Sequence, residues 1–243
     1  MILRRIAEHV KAQNWFAVAI DFVIVVIGVF IGIEVSNWNA AHADRNREQV
    51  LIQRVAADFE AIESRLSASV TVFDNSLAAI DSISQAITRA DAPGTAREIG
   101  AFGEALRQVM VSRVPAWRSA TFLEMQSSGD LNLLRSAALK SALIQYDQQS
   151  GIAEMGWKSL NDVSLMYNAA IYDHVRFSAR DGVPSGTGFE IASFDFPGMR
   201  ADARVLPALS VQTMVQANNR ALQRQQLQRA SLVLSALREE LAN

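Results

Sequence analysis

The sequence predicts an all-α protein: a single N-terminal transmembrane helix followed by an extramembrane helical bundle with long antiparallel helices. Three observations carry this expectation. One predominantly apolar stretch of 20 residues lies near the start, long segments with apolar residues at helical spacing fill most of the remainder, and Pro or Gly marks the joins. With 243 residues, half of them hydrophobic, and a formal net charge of −2, the chain has enough material for one globular domain plus an apolar anchor.

The anchor comes first. Phe16 to Val35 reads FAVAIDFVIVVIGVFIGIEV, which as a helix rises about 30 Å, the thickness of a bilayer's hydrocarbon core. Trp15 and Trp38 bracket it at the two depths where amphipathic indoles collect, so the expected transmembrane helix is 16–38. In residues 1–15, Ile2, Leu3, Ile6 and Val10 recur at helical spacing while Arg4, Arg5, Glu8 and Lys11 point elsewhere, the pattern of an interfacial amphipathic lead-in. A cleaved signal peptide is the competing reading, because Ala41-His42-Ala43 has small-residue character. The length of the apolar run and the acid within it argue against that reading. Arg4, Arg5 and Lys11 lie closer to their membrane boundary than Arg45, Arg47 and Arg54 do to theirs. This favours a cytoplasmic N-terminus and a periplasmic C-terminal domain at a bacterial inner membrane.

Within the span, Ala17, Asp21, Gly28 and Gly32 fall on one helical face at about 100° per residue. Gly28-x-x-x-Gly32 permits close backbone approach of a second helix. An intramembrane carboxyl group costs about 2.5–3.5 kcal/mol at mid-membrane on insertion scales, so Asp21 seeks a partner. Glu34 sits at the far rim, within reach of headgroup water, and is assigned no role.

Residues 39–243 are expected to form the extramembrane domain. Leu51, Val55, Phe59, Ile62, Leu66, Phe73, Leu77, Ile80 and Ile87 mark one long amphipathic helix, with room for one break, that ends before Pro93-Gly94. A second helix covers Arg97 to Val111, and a third opens at Pro115 and runs to Ser128. Gly129-Asp130 breaks the pattern, and a long helix follows with the stripe Leu139, Leu143, Tyr146, Trp157, Leu160, Tyr167 and Ile171. Residues 178–207 lose periodicity, cluster Gly and Pro, and read as an irregular loop anchored by Phe189, Phe194 and Phe196, with a hairpin conceivable at Glu190 to Phe196. Ser210 to Leu241 returns to helix, with the stripe Val211, Val215, Leu222, Leu227, Leu234, Leu237 and Leu241 interrupted at Gln223 to Gln228.

The same composition narrows function. With no cysteine, thiolate catalysis and Cys-based metal sites are excluded. The near-neutral balance provides no basic field for nucleic acid. The three histidines, His9, His42 and His174, lie far apart with no metal-ligand spacing. Tyr172-Asp173-His174 would point in different directions on a helix, and no phosphate-binding loop, dinucleotide fingerprint or nucleophile elbow appears. No catalytic, cofactor-binding or metal-binding residue is assigned, and no cofactor is expected.

The opening Leu3-Arg4-Arg5-Ile6, Glu8 to Phe16, Asp21 to Gly32 and Val35-Ser36-Asn37-Trp38-Asn39 resemble a bacterial domain-of-unknown-function family of single-pass membrane proteins with an N-terminal anchor and a helical domain. A weaker similarity covers Leu123 to Leu131 and Leu139 to Tyr146. Glu34 stands where that family would have Gln. The resemblance implies membrane location and supplies no activity.

The expected partners are therefore the lipid bilayer and, through the transmembrane helix, a second copy or another membrane protein. The expected function is a non-enzymatic scaffold. The alternatives are an accessory subunit of an ion-driven membrane complex that uses Asp21, and a periplasmic sensor with a ligand near Phe189 to Phe196.

Overall fold

A computed structural model describes residues 15–110, 117–179 and 189–242, with the side chains of residues 15–18 and 21 left undescribed. The expected lead-in, apart from the Trp15 backbone, lies outside the described residues. The structure is all-α apart from one small hairpin: α1 (Trp15–Arg89), α2 (Ala96–Met110), α3 (Ala120–Ser128), α4 (Ala137–Tyr172), β1 (Val175–Ala179), β2 (Phe189–Phe194), α5 (Phe196–Ala201) and α6 (Val205–Ala242). The chain divides into two units, Met1–Leu51 and Ile52–Asn243. Helix α1 runs through Trp38 without a break.

In the first unit, α1 carries the apolar stretch. Its large hydrophobic side chains are exposed, Phe22 at 68% and Phe30 at 64% among them. The helix is long and apolar enough to cross a membrane, with a mean hydropathy of 1.8 over its most apolar window.

The second unit is built on the later part of α1 together with α4 and α6. The buried seam of α1 runs Ile52, Val55, Phe59, Ile62, Leu66, Ser69, Phe73, Ser76, Ile80, Ile83 and Ile87. Its alternating steps of three and four are the heptad spacing by which long helices pack side by side. The expected apolar position Leu77 lies only half-buried beside it, and Ser76 takes the inward direction. There the Ser76 hydroxyl donates to the Gln108 carbonyl at 2.9 Å. Helix directions follow from pairs across the interfaces. Asp74 meets Arg220 at 2.7 Å and Glu63 meets Ser231 at 3.2 Å, so α1 and α6 are antiparallel. Ser164 meets Gln212 at 3.1 Å and Gln149 meets Gln225 at 3.1 Å, so α4 and α6 are antiparallel as well. Gly156 of α4 serves this second pairing, since a Cβ there would stand 3.0 Å from Leu222 Cδ1.

Local chemistry sets the element ends. Thr95 and Glu98 form a reciprocal capping box at α2: the Glu98 N–H donates to Thr95 Oγ1 at 3.2 Å, and the Thr95 N–H to Glu98 Oε2 at 3.0 Å. Ser119 caps α3 through the Phe122 N–H, and Gly129 stops it in the left-handed region at φ 83°. Pro115, expected to open this helix, lies outside the described residues.

The described residues of the stretch 178–207, which are 178–179 and 189–207, differ from the irregular loop expected there. Val175–Ala179 pairs antiparallel with Phe189–Phe194, with an irregularity that leaves Ala192 as the extra residue of β2. Helix α5 follows, capped by Asp195, and α6 begins at Val205. Pro207 therefore sits in the first turn of α6, where its missing N–H has no helical partner to lose. The greasy anchors do pack: Phe196 joins Phe102, Leu106, Ile87, Ile171, Met199 and Val205 in a core at this end of the unit.

Candidate functional site

Four places among the described residues bear on recognition or chemistry. In the first unit, the backbones of Trp15, Ala17, Asp21, Gly28, Gly32 and Trp38 all lie in α1. The side chains of Trp15, Ala17 and Asp21 are outside the described residues. Trp38 is 66% exposed, with its ring stacked on His42 at 6.0 Å between centroids. A Cβ built on Gly28 or Gly32 meets nothing within 4 Å, so both positions open onto free space.

In the second unit, Asp173 and His174 of the sequence triplet are brought into one network with Asp202 and Arg204, while Tyr172 turns away to pack edge-on against Phe177. Asp173 and His174 follow the last residue of α4, in the turn that enters β1. His174 Nε2 lies 3.1 Å from Asp202 Oδ2, and Arg204 Nη2 lies 2.9 Å from Asp173 Oδ2 and 2.6 Å from Asp202 Oδ2. Hydrogen bonds from the Arg204 side chain, its backbone N–H and His174 hold the Asp202 carboxyl well below the usual carboxylate range. The Arg204 guanidinium is shifted upward by the same bonds. The opposite ring nitrogen, Nδ1, faces Gly198, where a Cβ would lie 2.9 Å from it. With the imidazole bonded to Asp202 on one side and packed on Gly198 on the other, the network fastens the turn after α4 to the start of α6.

The third place is a cavity of about 590 Å³ between α2 and β2. Ile99, Gly100 and Gly103 form its helical wall, Glu190 to Phe194 its strand wall, and Phe196 and Pro197 its end. Glu104 and Arg107 stand at the rim as an ion pair. Two glycines inside a 15-residue helix cost about 1 kcal/mol each relative to Ala. Packing requires neither: a Cβ on Gly100 meets nothing within 4 Å, and one on Gly103 meets Ile191 at an ordinary 3.8 Å.

The fourth is a polar seam. Gln212, Gln216, Asn219, Gln223 and Gln226 are all buried on α6. They occupy consecutive core positions at steps of four and three, continued by Ala230, Val233 and Leu237. The expected apolar stripe lies partly beside this seam, with Leu222 and Leu227 half-buried and Leu241 exposed. Hydropathy selected the flanking Leu residues, whereas helix direction turned the carboxamides inward. Gln212 is bonded to Ser164, but Gln216 Oε1, Asn219 Oδ1 and both amide atoms of Gln226 have no protein partner among the described residues.

Sequence periodicity found none of these last three places in full. The Gly100/Gly103 pair within a short helix was the available signal for the cavity, and the four-three spacing of amides was the signal for the seam. Among the described residues, no group of three or more His, Asp or Glu side chains is placed to hold a metal ion. No protein family, no curated protein and no solved structure matches the chain.

Proposed function

We propose that this protein is a non-enzymatic, membrane-anchored interaction protein that assembles through its transmembrane helix. In this reading, residues 16–38 cross a bacterial inner membrane, the N-terminus is cytoplasmic and the helical domain is periplasmic. The face of Ala17, Asp21, Gly28 and Gly32 meets a second copy or another membrane protein. One observation carries the reading: from Phe22 to Val35 a strongly apolar helix leaves nearly every side chain exposed, and both glycines of that face open onto free space. So large a continuous apolar surface calls for lipid or a partner.

The test is the oligomeric mass of the full chain in mild detergent, together with its co-purifying membrane proteins. Gly28→Leu and Asp21→Leu are each expected to lower the mass or remove the partner. Unchanged assembly in both variants overturns the reading. Asp21→Asn with assembly intact but function lost would favour the ion-driven complex instead.

The cavity beside Phe194 and Phe196 favours a second reading, a ligand-sensing domain on the same anchor. Its volume lies within the range of small-ligand pockets, about 300–1,000 Å³.

A further inference from the structure

We propose that the groove between α2 and β2 binds an extended peptide segment of another protein, which adds as a third strand to the open edge of β2. This deepens the sensing reading and rests on the second unit alone.

The strand supplies the first argument. β2 is paired with β1 on one side only, in a two-stranded sheet. Among the described residues, Glu190 to Phe194 contribute to no backbone hydrogen bond outside the hairpin. Alternate residues of an antiparallel strand turn N–H and C=O to its outer edge, so this edge presents unused donors and acceptors. The groove follows that edge. Successive side chains on a strand point to opposite faces, yet five consecutive residues, Glu190 to Phe194, line the groove. A wall made of consecutive residues is a strand met side-on.

The helix supplies the second. Gly100 is unfavourable in a helix interior and is not required by packing, but it removes a side chain from the groove's helical wall, while Gly103 lets that wall stand against the Ile191 side chain. A strand wall opposite a helix wall is the arrangement by which peptides are taken up through main-chain bonds, with alternate side chains filling pockets. Ile99, Phe194 and Phe196 make those pockets apolar. Charge indicates the peptide's character. Among the described residues, the lining carries Glu104 and Glu190 against one cation, Arg107, which Glu104 engages, so carboxylate is in excess there. The occupant is therefore an extended segment that alternates apolar residues with Lys or Arg. The extra residue Ala192 shortens the regular ladder to a few bonds, so apolar anchoring and main-chain pairing share the affinity.

The experiment uses the full chain in detergent and, as probe, a blocked peptide of about eight residues alternating Val and Lys. Its control is the same peptide N-methylated on the residues that would pair with β2. The expected results are saturable binding, slowed amide exchange within 190–194, and a loss of roughly tenfold or more on N-methylation. Gly100→Leu, which fills the groove from an exposed helical position and favours helix, is expected to abolish binding with no fall in thermal midpoint. Glu190→Lys is expected to weaken binding of the basic peptide. Equal binding of the methylated and unmethylated peptides overturns strand addition. Binding of indole, a small apolar probe, that Gly100→Leu removes, with no peptide binding, overturns the peptide proposal while supporting the sensing reading. If neither probe binds, both fall.

Discussion

Asp202 Oδ2 stands 3.1 Å from His174 Nε2, tying the turn after α4 to the residues that open α6. Arg204 bonds to the same carboxylate and to Asp173, so one half-buried acid organises two chain segments. Its carboxyl titrates below the ordinary value because those donors favour the ionised form. The stabilisation is therefore complete above the unfolded-state pKa of about 3.9 and is lost as pH falls towards the lower folded-state value. Asp202→Asn is expected to lower the thermal midpoint near neutrality and to flatten its dependence on pH in the acid range. Thermal unfolding across that range, followed by circular dichroism, checks both; a wild-type slope retained in the variant would contradict the assignment.

Two glycines should respond to Ala in opposite directions. At Gly198 a Cβ would meet Asp195 Cγ at 2.8 Å and His174 Nδ1 at 2.9 Å, while the Gly198 N–H must still donate to Asp195. Overpacking of this kind costs about 1–3 kcal/mol. Gly100→Ala meets open space in an exposed helical position and should gain up to about 1 kcal/mol. Denaturant midpoints of the two variants provide the comparison.

Gln226 is fully buried, and neither its Oε1 nor its Nε2 has a protein partner among the described residues. An unpaired buried amide costs about 1–3 kcal/mol, so Gln226→Leu is expected to raise the urea midpoint. The change would also make the helix pairing less selective in register, because polar core positions discriminate between alignments. A lowered midpoint would mean that the amide is satisfied by bound water.

Tyr146 packs edge-on against Phe59, with ring centroids 4.8 Å apart, and donates its hydroxyl to the Trp117 carbonyl at 2.6 Å. Burial pushes its pKa up to about 12. The unfolded chain ionises first, near pH 10, so stability is expected to fall between about pH 10 and 12 as the unfolded form gains its charge. Ultraviolet titration should show Tyr146 ionising late, and Tyr146→Phe should remove that step. The same substitution leaves the Trp117 carbonyl without its donor and should cost about 1–3 kcal/mol.

The extent to which the sequence was legible follows from the range of the forces involved. Hydrophobic period and element length are local, so the apolar segment of α1 and the core positions Val55, Phe59, Ile62, Leu66, Leu139, Leu143 and Ile171 could be read directly. The amide seam on α6 could not. A Gln at a core position looks like a surface residue until the direction of the neighbouring helices is known. The hairpin was legible only in part, for a related reason: one was conceivable at Glu190 to Phe196, where most of β2 lies, but its partner β1 is distant in sequence and neither strand has a strong alternation of its own. The His174–Asp202 contact spans 28 positions and depends on where α5 places Asp202.

The all-α class, the apolar helix and the face shared by Ala17, Asp21, Gly28 and Gly32 are properties of one helix at a time, and the order of residues along the chain is enough to determine them. The groove edged by β2, the network around Asp202 and the inward turn of Gln212 to Gln226 each require two or more segments to meet. Only tertiary packing, which balances buried polar groups against apolar area over the whole unit, decides which distant residues become neighbours.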